Sequence, residues 1–475
     1  MLYGNKRFFT RRQGQSQSRL DRFYIDSNFT AFSEHSLPGL SSDHDIVVLQ
    51  LSDIHITPHG KGRWKNNTSI YLTPQFQVNF QTKWKRWRTL QPYLFQTKTS
   101  WWIHMKHRIK DLNITHAKIK RQEEQQEEDI LTRQVESLHQ KITENSNLLP
   151  IYHRVRKQWQ NLKLWNTQRK IKKSKIDQFE NDDRGTKLFF QQLCKSRKQT
   201  SITSLKNPHG QNLTDPKEML LEAQRYYQSL YDVKPTLPEA QDFFLKHIQQ
   251  SLDPSDTTLM HPISSEELRY TILQMANGKS PGPDGRTVEF YKSSWNVIAQ
   301  DFTETINEIH QSAYIPPEMK LGTVTLIHKK GKTDLLKNYR PVTLLNVDLK
   351  IYTKVLANRL KQILPNILHN HQYARPGGQI FHVLTLLRDM IHHSKNTNSD
   401  HYYLSLDFEK AFDSVDHQWL FKVLSKYGFT SNFTNVIKTL HTDATAEVLI
   451  NGHRTLPFQI RRGVRQGDPL SLFLF

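Results

Sequence analysis

The sequence predicts an α+β fold for the C-terminal half of the chain, from about residue 236 to residue 475. Three observations support this prediction. Short apolar runs of strand length alternate with amphipathic helical patterns, one strong helix is expected from Asp348 to Pro365, and a hairpin pattern follows at residues 448–460. An α+β core, with strands and helices around one apolar centre, gives such a pattern.

The net charge of the chain indicates the class of its binding partner. The 475 residues include 66 Lys and Arg against 45 Asp and Glu, which gives a net charge of +21 and a pI near 9.7. Such an excess indicates a polyanionic partner, and nucleic acid is the first candidate. The length allows two to four domains of ordinary size.

Cysteine content and hydropathy indicate the compartment. The chain has one cysteine, Cys194, and no Cys/His cluster at zinc spacing, so a reducing location in the nucleus or cytoplasm is expected. Hydrophobic residues make up 36% of the chain, and neither an apolar run of about 18 residues nor a signal-peptide pattern is present. Membrane and secreted proteins are therefore disfavoured, and the oligomeric state stays open.

Residues 1–52 end in a short apolar run at 46–49, which is expected to be the last strand of a fold. Only about 50 residues precede the change in composition, roughly half of a usual small domain. The sequence therefore predicts less than a whole domain in this region, and the rest of that fold is either missing or never existed.

Residues 53–235 are expected to form a mostly helical, basic linker. Within it, residues 151–200 hold 14 Lys and Arg against 4 Asp and Glu, a net charge of +10. One interpretation is an ordinary solvated surface. The other, which we favour, is an arm that follows a phosphate backbone, with Trp159 and Trp165 available for packing or for stacking on bases.

Residues 236–475 carry the clearest secondary-structure patterns. Residues 323–326 alternate like a strand and run into the basic turn Lys329-Lys330-Gly331. A helix is expected to start at Asp348 as N-cap and to stop at Pro365. The Asn451-Gly452 pair between two apolar runs predicts a tight hairpin turn.

Residues 402–413 (YYLSLDFEKAFD) are the most informative segment in the chain. With a period of two, Leu404, Leu406 and Phe408 face one side of a strand and Asp407 faces the other. A carboxylate at the end of an apolar strand costs desolvation energy unless it is paired or binds a metal. Taken alone, such an Asp is more often a turn or helix cap, but it is also a candidate ligand for a hard cation.

Several segments in this half resemble the motifs of reverse transcriptases from LINE-type non-LTR retrotransposons, and they occur in the family's order. They are residues 277–285 (NGKSPGPDG), 326–331 (LIHKKG), 338–342 (NYRPV), 357–360 (ANRL), 407–413 (DFEKAFD) and 461–470 (RRGVRQGDPL). The resemblance implies the fingers and the first part of the palm of a right-hand polymerase. It also implies RNA-directed DNA synthesis, with an RNA template, a DNA primer or target, and dNTPs as partners.

The resemblance also implies roles for individual residues. Asp407, with the backbone carbonyl of Phe408, matches the first of the family's metal ligands, which hold two Mg²⁺ ions for nucleotidyl transfer. Phe412 matches the aromatic position under the nucleotide sugar. The nucleotide-binding positions are Lys329, Lys330, Arg340, Phe412, Gln466 and Gly467. The positions expected to contact template or primer are Lys279, Arg359 and Arg465.

The chain's start has a resemblance of its own. Residues 18–21 (SRLD) and 42–44 (SDH) resemble the last two motifs of the apurinic/apyrimidinic-type endonuclease that precedes the polymerase in these elements. The resemblance implies that residues 1–52 are the C-terminal remnant of this α/β endonuclease. Asp21, Asp43 and His44 then match its acidic and phosphate-contacting positions.

The sequence departs from the family in one important respect. The family continues beyond the position that matches Phe475 into an aromatic-x-Asp-Asp box, which this sequence lacks. A single matched carboxylate does not fix Mg²⁺ well enough for in-line transfer, so the isolated chain is expected to be inactive as a polymerase. The alternative function is that of a non-enzymatic RNA- or DNA-binding protein derived from such an element.

Overall fold

The computed structural model describes residues 11–13, 16–18, 20, 30–37, 46–52, 60, 62–142, 146–174, 201–249, 252–253, 258–369, 371–373, 379–397, 402 and 404–475. The chain divides into two compact units, one of residues 1–58 with 118–200 and one of residues 59–117 with 201–475. None of the described helices combines the length and apolar character that a membrane span needs.

Helices and strands are numbered in chain order over the described residues. The helices are α1 (Pro74–Leu94), α2 (Lys98–Ile142), α3 (Leu149–Ser174), α4 (Pro216–Leu230), α5 (Pro238–Lys246), α6 (Ser265–Gln274), α7 (Val288–Ser312), α8 (Pro317–Lys320), α9 (Val347–Ile367), α10 (Ile380–Thr397), α11 (His417–Lys426), α12 (Ser431–His441) and α13 (Ser471–Leu474). The strands are β1 (Arg11–Gln13), β2 (Ser16–Ser18), β3 (Thr30–Leu37), β4 (Ile46–Ser52), β5 (Leu205–Lys206), β6 (Asn212–Leu213), β7 (Gly322–His328), β8 (Tyr339–Leu345), β9 (Thr445–Ile450), β10 (His453–Arg454) and β11 (Phe458–Gln459).

The first unit contains two small antiparallel sheets and a pair of helices. Strand β1 pairs with β2, and β3 pairs with β4, so the strand predicted at 46–49 is present. Asp21, Asp43 and His44 lie outside the described residues. The predicted endonuclease remnant therefore stays a prediction.

The helices of the first unit are joined by a few polar contacts. The indole Nε1 of Trp159 on α3 donates to Thr132 Oγ1 of α2 at 3.0 Å, and Lys163 pairs with Glu128. Trp159 is buried by this packing, whereas Trp165 is half exposed. Of the two tryptophans predicted to pack or stack, Trp159 therefore packs. Residues 175–200 of the basic stretch lie outside the described residues.

The larger sheet of the second unit has the strand order β10-β9-β7-β8, and β11 also pairs with β9, while β5 and β6 form a separate two-stranded sheet. Strands β7 and β8 are antiparallel from Gly322 opposite Leu345 to His328 opposite Tyr339, and β7 runs parallel to β9. These pairings confirm the predicted strand at 323–326 and the predicted hairpin around Asn451-Gly452. Lys329 and Lys330 follow β7 directly, so the sheet places the basic turn at one end of the β7–β8 pair.

Helix α9 confirms the predicted helix with two corrections. Its N-cap is Asn346, and it continues through Pro365 to Ile367. A proline near the C-terminus of a helix disturbs only the last turn, which explains why the helix does not stop there. Asp348 is not a cap but a fully buried carboxylate inside the first turn.

Residues 59–117, which the predicted boundaries placed in the linker, pack into the second unit. Phe76, Phe80 and Trp84 of α1 are four residues apart, and all three are buried. The Trp102 ring of α2 lies 4.9 Å from the Phe302 ring of α7. The boundary was missed because charged residues surround these aromatic side chains in the sequence and hide one apolar helix face.

A buried ionic network joins α2 to the rest of this unit. Lys106 Nζ lies 2.7 Å from Asp284 Oδ2 and 2.7 Å from Asp348 Oδ2. Arg286 Nη1 lies 3.4 Å from the same Asp284 oxygen, and Trp102 Nε1 donates to Asp348 at 3.2 Å. Burial alone lowers the pKa of Lys106, but the two carboxylates outweigh it and hold that pKa above its usual value. Lys106 and Arg286 together therefore balance the charges of two aspartates that lie far apart in sequence.

The strand predicted around Asp407 is not present. Residues 404–408 have no regular secondary structure, and Leu404, Leu406 and Phe408 are 78%, 76% and 76% exposed. An extended segment becomes a strand only through hydrogen bonds to a neighbouring strand, and none of the described strands pairs with this one. The alternation of apolar residues therefore did not predict a formed strand here.

Candidate functional site

The predicted nucleotide and metal positions meet in one cleft of the second unit, with a volume of about 780 Å³. Segments that are far apart in sequence form its walls: α4, the turn between β7 and β8, residues 407–413, and the loop before α13. All eight positions to which the family resemblance gives a nucleotide or metal role line this cleft: Lys329, Lys330, Arg340, Asp407, Phe408, Phe412, Gln466 and Gly467.

The turn between β7 and β8 forms a cationic wall. The Lys329 amide donates to the Asn338 carbonyl oxygen at 2.8 Å, which closes the turn and holds Lys329 and Lys330 beside the cleft. Burial alternates along β8, so Arg340 is exposed while Tyr339 and Pro341 point into the protein. Two ammonium groups and a planar guanidinium on one wall suit a phosphate-bearing ligand.

Other residues of the lining carry oxygen atoms that can bind a cation. Asp407 and Glu409 are exposed at the cleft, and Asp468 also lines it. Among the described residues, no three Asp, Glu, His or Cys side chains converge on a metal position. The chemistry of Asp407 and of the Phe408 carbonyl fits a hard cation, but these donors alone do not form a complete metal site.

Phe412 is an aromatic residue of the cleft lining. Its ring stacks on that of Phe475 with centroids 4.7 Å apart, and its carbonyl oxygen accepts from the Val464 amide at 2.8 Å. The side chain is half buried and lines the cleft. Its position is therefore set by both the backbone and an aromatic neighbour.

The loop of Gln466 and Gly467 is pressed against β8. The Thr343 amide donates to the Gln466 carbonyl oxygen at 2.7 Å. Gly467 has φ +111°, and a Cβ atom there would lie 2.5 Å from the Thr343 carbonyl oxygen. Only glycine fits this close approach, which brings the loop to the edge of the cleft.

Asp413 is a cleft residue to which the sequence analysis assigned no role. It is only 2% exposed, and its carboxylate accepts from Tyr231 Oη at 3.2 Å and from Gln466 Nε2 at 3.1 Å. Burial raises the pKa of Asp413 to about 6, although the two hydrogen bonds and the nearby Lys410 oppose the shift. The one available signal was its place directly after Phe412 in a motif that was already recognised.

Two of the three residues predicted to contact template or primer have internal partners in the structure. Arg465 is buried, and its guanidinium donates to the carbonyl oxygens of Lys320 at 2.9 Å and Leu440 at 3.4 Å. Arg359 pairs with Glu267 at 2.7 Å and also donates to three backbone carbonyls. Both side chains satisfy internal acceptors, and their contact with template or primer stays a prediction. Lys279 is exposed, and its template contact stays a prediction.

Replacing Asp413 by asparagine is expected to stabilise the protein at pH 8. The folded-state pKa of Asp413 lies above that of an unfolded Asp, so its contribution to wild-type stability is present below about pH 4 and is lost as the pH rises through about 6. Relative to wild type, the variant should gain about 2 to 3 kcal/mol between pH 4 and pH 7. Urea unfolding at several pH values measures this difference, and a difference that does not change with pH would contradict it.

Comparison with known proteins gives a consistent family. Residues 327–475 match the family described as reverse transcriptase (RNA-dependent DNA polymerase). The chain is 32% identical over 461 residues, 96% of its length, to the transposon TX1 uncharacterized 149 kDa protein of Xenopus laevis, and it covers 35% of that protein. These matches confirm the resemblance that the motifs predicted.

Two further relatives match about half of the chain. A retrovirus-related Pol polyprotein from the type-1 retrotransposable element R2 of Popillia japonica is 31% identical over 45% of the chain, which covers 29% of that protein. A probable RNA-directed DNA polymerase from transposon BS of Drosophila melanogaster is 27% identical over 48% of the chain, which covers 26% of that protein. The chain thus spans about a third or less of the length of these relatives.

Proposed function

Residues 327–475 form a reverse transcriptase domain of the non-LTR retrotransposon type, and on this premise we propose that the cleft binds the incoming nucleotide for RNA-directed DNA synthesis. One observation carries the proposal. All eight positions expected from the family motifs to touch the nucleotide or its metal line the same cleft, although they come from three separate segments of the chain. An RNA template and a DNA primer are the partners that this function requires.

The proposed roles follow from the chemistry of each wall. Lys329, Lys330 and Arg340 bind the triphosphate, the lysines as point charges and the arginine through its planar fork. The loop of Gln466 and Gly467 supports the nucleotide from the side of β8. Phe412 supplies an apolar surface for the sugar.

Asp407 and the Phe408 carbonyl are the groups that would hold Mg²⁺ here. In phosphoryl transfer, this metal neutralises charge on the phosphates and on the attacking oxygen. The residues of this chain would bind and orient the nucleotide. We propose polymerase activity for the complete site, with RNA as its template.

Removing the cationic wall is expected to weaken nucleotide binding strongly. Lys329→Gln and Arg340→Gln should each weaken binding of a dNTP with Mg²⁺ by about tenfold, and together by about a hundredfold, because each removes a charge-assisted hydrogen bond. Isothermal titration calorimetry measures the affinities. Lys361→Gln, an exposed lysine of α9 outside the cleft, is the control and should bind like wild type. Equal affinity in all five proteins, wild type included, would refute the proposed role of this wall.

A second proposal concerns nucleic-acid binding by the basic stretch of residues 151–200. Its net charge of +10 and the half-exposed Trp165 support it. If about five cations contact phosphates of a single strand, log K should fall with log salt at a slope of about −3.5. Changing Lys170, Lys172, Lys173 and Lys175 to Gln should flatten this slope by about 2 to 3 units in filter-binding titrations. An unaltered slope would remove this stretch from the binding surface.

A further inference from the structure

The side chain of Gln466 is held by a residue outside the family's nucleotide-binding set. Its Nε2 donates to Asp413 Oδ2 at 3.1 Å, while its backbone carbonyl oxygen is held by Thr343. Both ends of the residue are thus anchored, one on β8 and one on the turn that follows Phe412. The amide lies at the cleft and is half buried.

The chemistry of the partner decides the orientation of this amide. An ionised carboxylate accepts hydrogen bonds and donates none, whereas the two ends of a glutamine amide differ, one being a donor and the other an acceptor. Asp413 therefore requires Nε2 to face it. Oε1 is then the group that Gln466 can offer to a ligand in the cleft.

Asp413 is itself fixed from a second side. Tyr231, which follows α4, donates its hydroxyl to Asp413 Oδ1 at 3.2 Å and is buried. The charged and titratable groups that act on Asp413 are Tyr227 and Tyr231 at the end of α4 and Lys410 in its own turn. Lys410 is occupied by Tyr226, to whose hydroxyl it donates at 2.7 Å. The carboxylate therefore has one donor on each oxygen and no close ion-pair partner among the described residues.

A buried carboxylate without an ion-pair partner costs more desolvation free energy than a neutral group that could hold the same amide. Asparagine has nearly the same shape and carries no charge to desolvate, so a purely structural position would favour it. An ionised aspartate accepts hydrogen bonds on both terminal atoms, whereas asparagine accepts on one and donates from the other. The presence of Asp is therefore explained by the orientation that it imposes on Gln466.

We infer that Asp413 is a positioning residue, which turns the carbonyl oxygen of Gln466 towards the cleft as an acceptor for a hydrogen-bond donor of the incoming nucleotide. The identity of the ligand, a nucleotide, rests on the proposed function. The orientation of the Gln466 amide rests only on its contact with Asp413.

An exchange of the two functional groups tests the inference. In Asp413→Asn, the new amide can turn its NH₂ group towards Gln466, which then presents its own NH₂ group to the cleft. In the double variant Asp413→Asn with Gln466→Glu, the bond is reversed, and the glutamate again offers an oxygen to the cleft. Binding of a dNTP with Mg²⁺ should weaken about tenfold in Asp413→Asn and recover to within about threefold of wild type in the double variant.

Thermal unfolding of the same proteins separates positioning from structure. Asp413→Asn should melt at the same temperature as wild type or higher at pH 8, while its nucleotide affinity falls. A single variant that binds like wild type would overturn the inference. So would a single variant whose lost binding follows a lowered melting temperature and is not recovered in the double variant.

A second readout needs no nucleotide. The side-chain amide signal of Gln466 in a protein with ¹⁵N-labelled glutamine, assigned by its loss in Gln466→Glu, should shift with a midpoint near pH 6 as Asp413 titrates. The shift should vanish in Asp413→Asn. If wild type binds no nucleotide but shows this titration, the proposed function fails while the orientation of the amide stands. If the signal does not respond to pH, the positioning role is wrong.

Discussion

Replacement of Lys106 by alanine is expected to lower the free energy of unfolding by about 3 to 5 kcal/mol, because it leaves the carboxylates of Asp284 and Asp348 buried without their shared cation. In the wild-type chain, an oxygen of each carboxylate lies 2.7 Å from Lys106 Nζ. Burial would raise the pKa of Asp284, but Lys106 and Arg286 outweigh it and hold this pKa below its usual value. The contribution of this carboxylate is therefore present at neutral pH and is lost only as the pH falls through the lowered pKa.

Two further variants make this prediction specific to charge. Arg108→Ala removes an exposed cation from the same helix and should cost less than about 0.5 kcal/mol. Lys106→Met combined with Asp348→Asn removes one buried charge of each sign, leaves Asp284 paired with Arg286, and should recover most of the lost stability. Urea unfolding of the four proteins gives the comparison. A loss in Lys106→Ala no larger than in Arg108→Ala would show that the network does not stabilise the unit.

Gly467→Ala is expected to have the second large effect. The new Cβ would lie 2.5 Å from the Thr343 carbonyl oxygen, and φ at this position is +111°. Steric overlap and backbone strain together should cost about 2 to 4 kcal/mol of stability. Because the loop must move away from β8 to relieve the overlap, nucleotide affinity should fall by at least about tenfold.

Gly278→Ala separates strain from overlap. Gly278 also has a positive φ, +74°, but nothing lies within 4 Å of a Cβ atom built there. This variant should cost only about 1 kcal/mol and leave nucleotide affinity unchanged. Chemical unfolding and calorimetric titration of both variants provide the test. A similar cost in the two would mean that the contact with Thr343 is not important.

Local patterns were enough to predict several elements of the second unit. Alternation at 323–326, the Asn451-Gly452 turn and the apolar face after Asp348 depend on neighbours within a few residues, and the structure contains all three as β7, the β9–β10 hairpin and α9. The family motifs also predicted which side chains share one cleft. Such motifs mark residues that lie close together in the folded family members, whereas hydrophobic periodicity reports only on neighbours along the chain.

Contacts between distant segments could not be predicted in the same way. Nothing near Lys106 in the sequence indicates Asp284 or Asp348 as its partners. Arg465 was expected to contact template or primer, and its burial depends on carbonyl oxygens of Lys320 and Leu440 that only the folded chain provides. The strand expected at 404–408 failed for a related reason, since strand formation depends on a partner and not on the alternating pattern itself.

A structure of this chain determined with Mg²⁺ and a dNTP tests directly whether the cleft binds the incoming nucleotide, because it locates the nucleotide relative to the side chains of the lining. We expect triphosphate oxygens within hydrogen-bond distance of Lys329, Lys330 and Arg340, the sugar over Phe412, and Gln466 Oε1 facing the nucleotide. A nucleotide bound elsewhere, or one in the cleft that touches none of these side chains, would contradict this expectation.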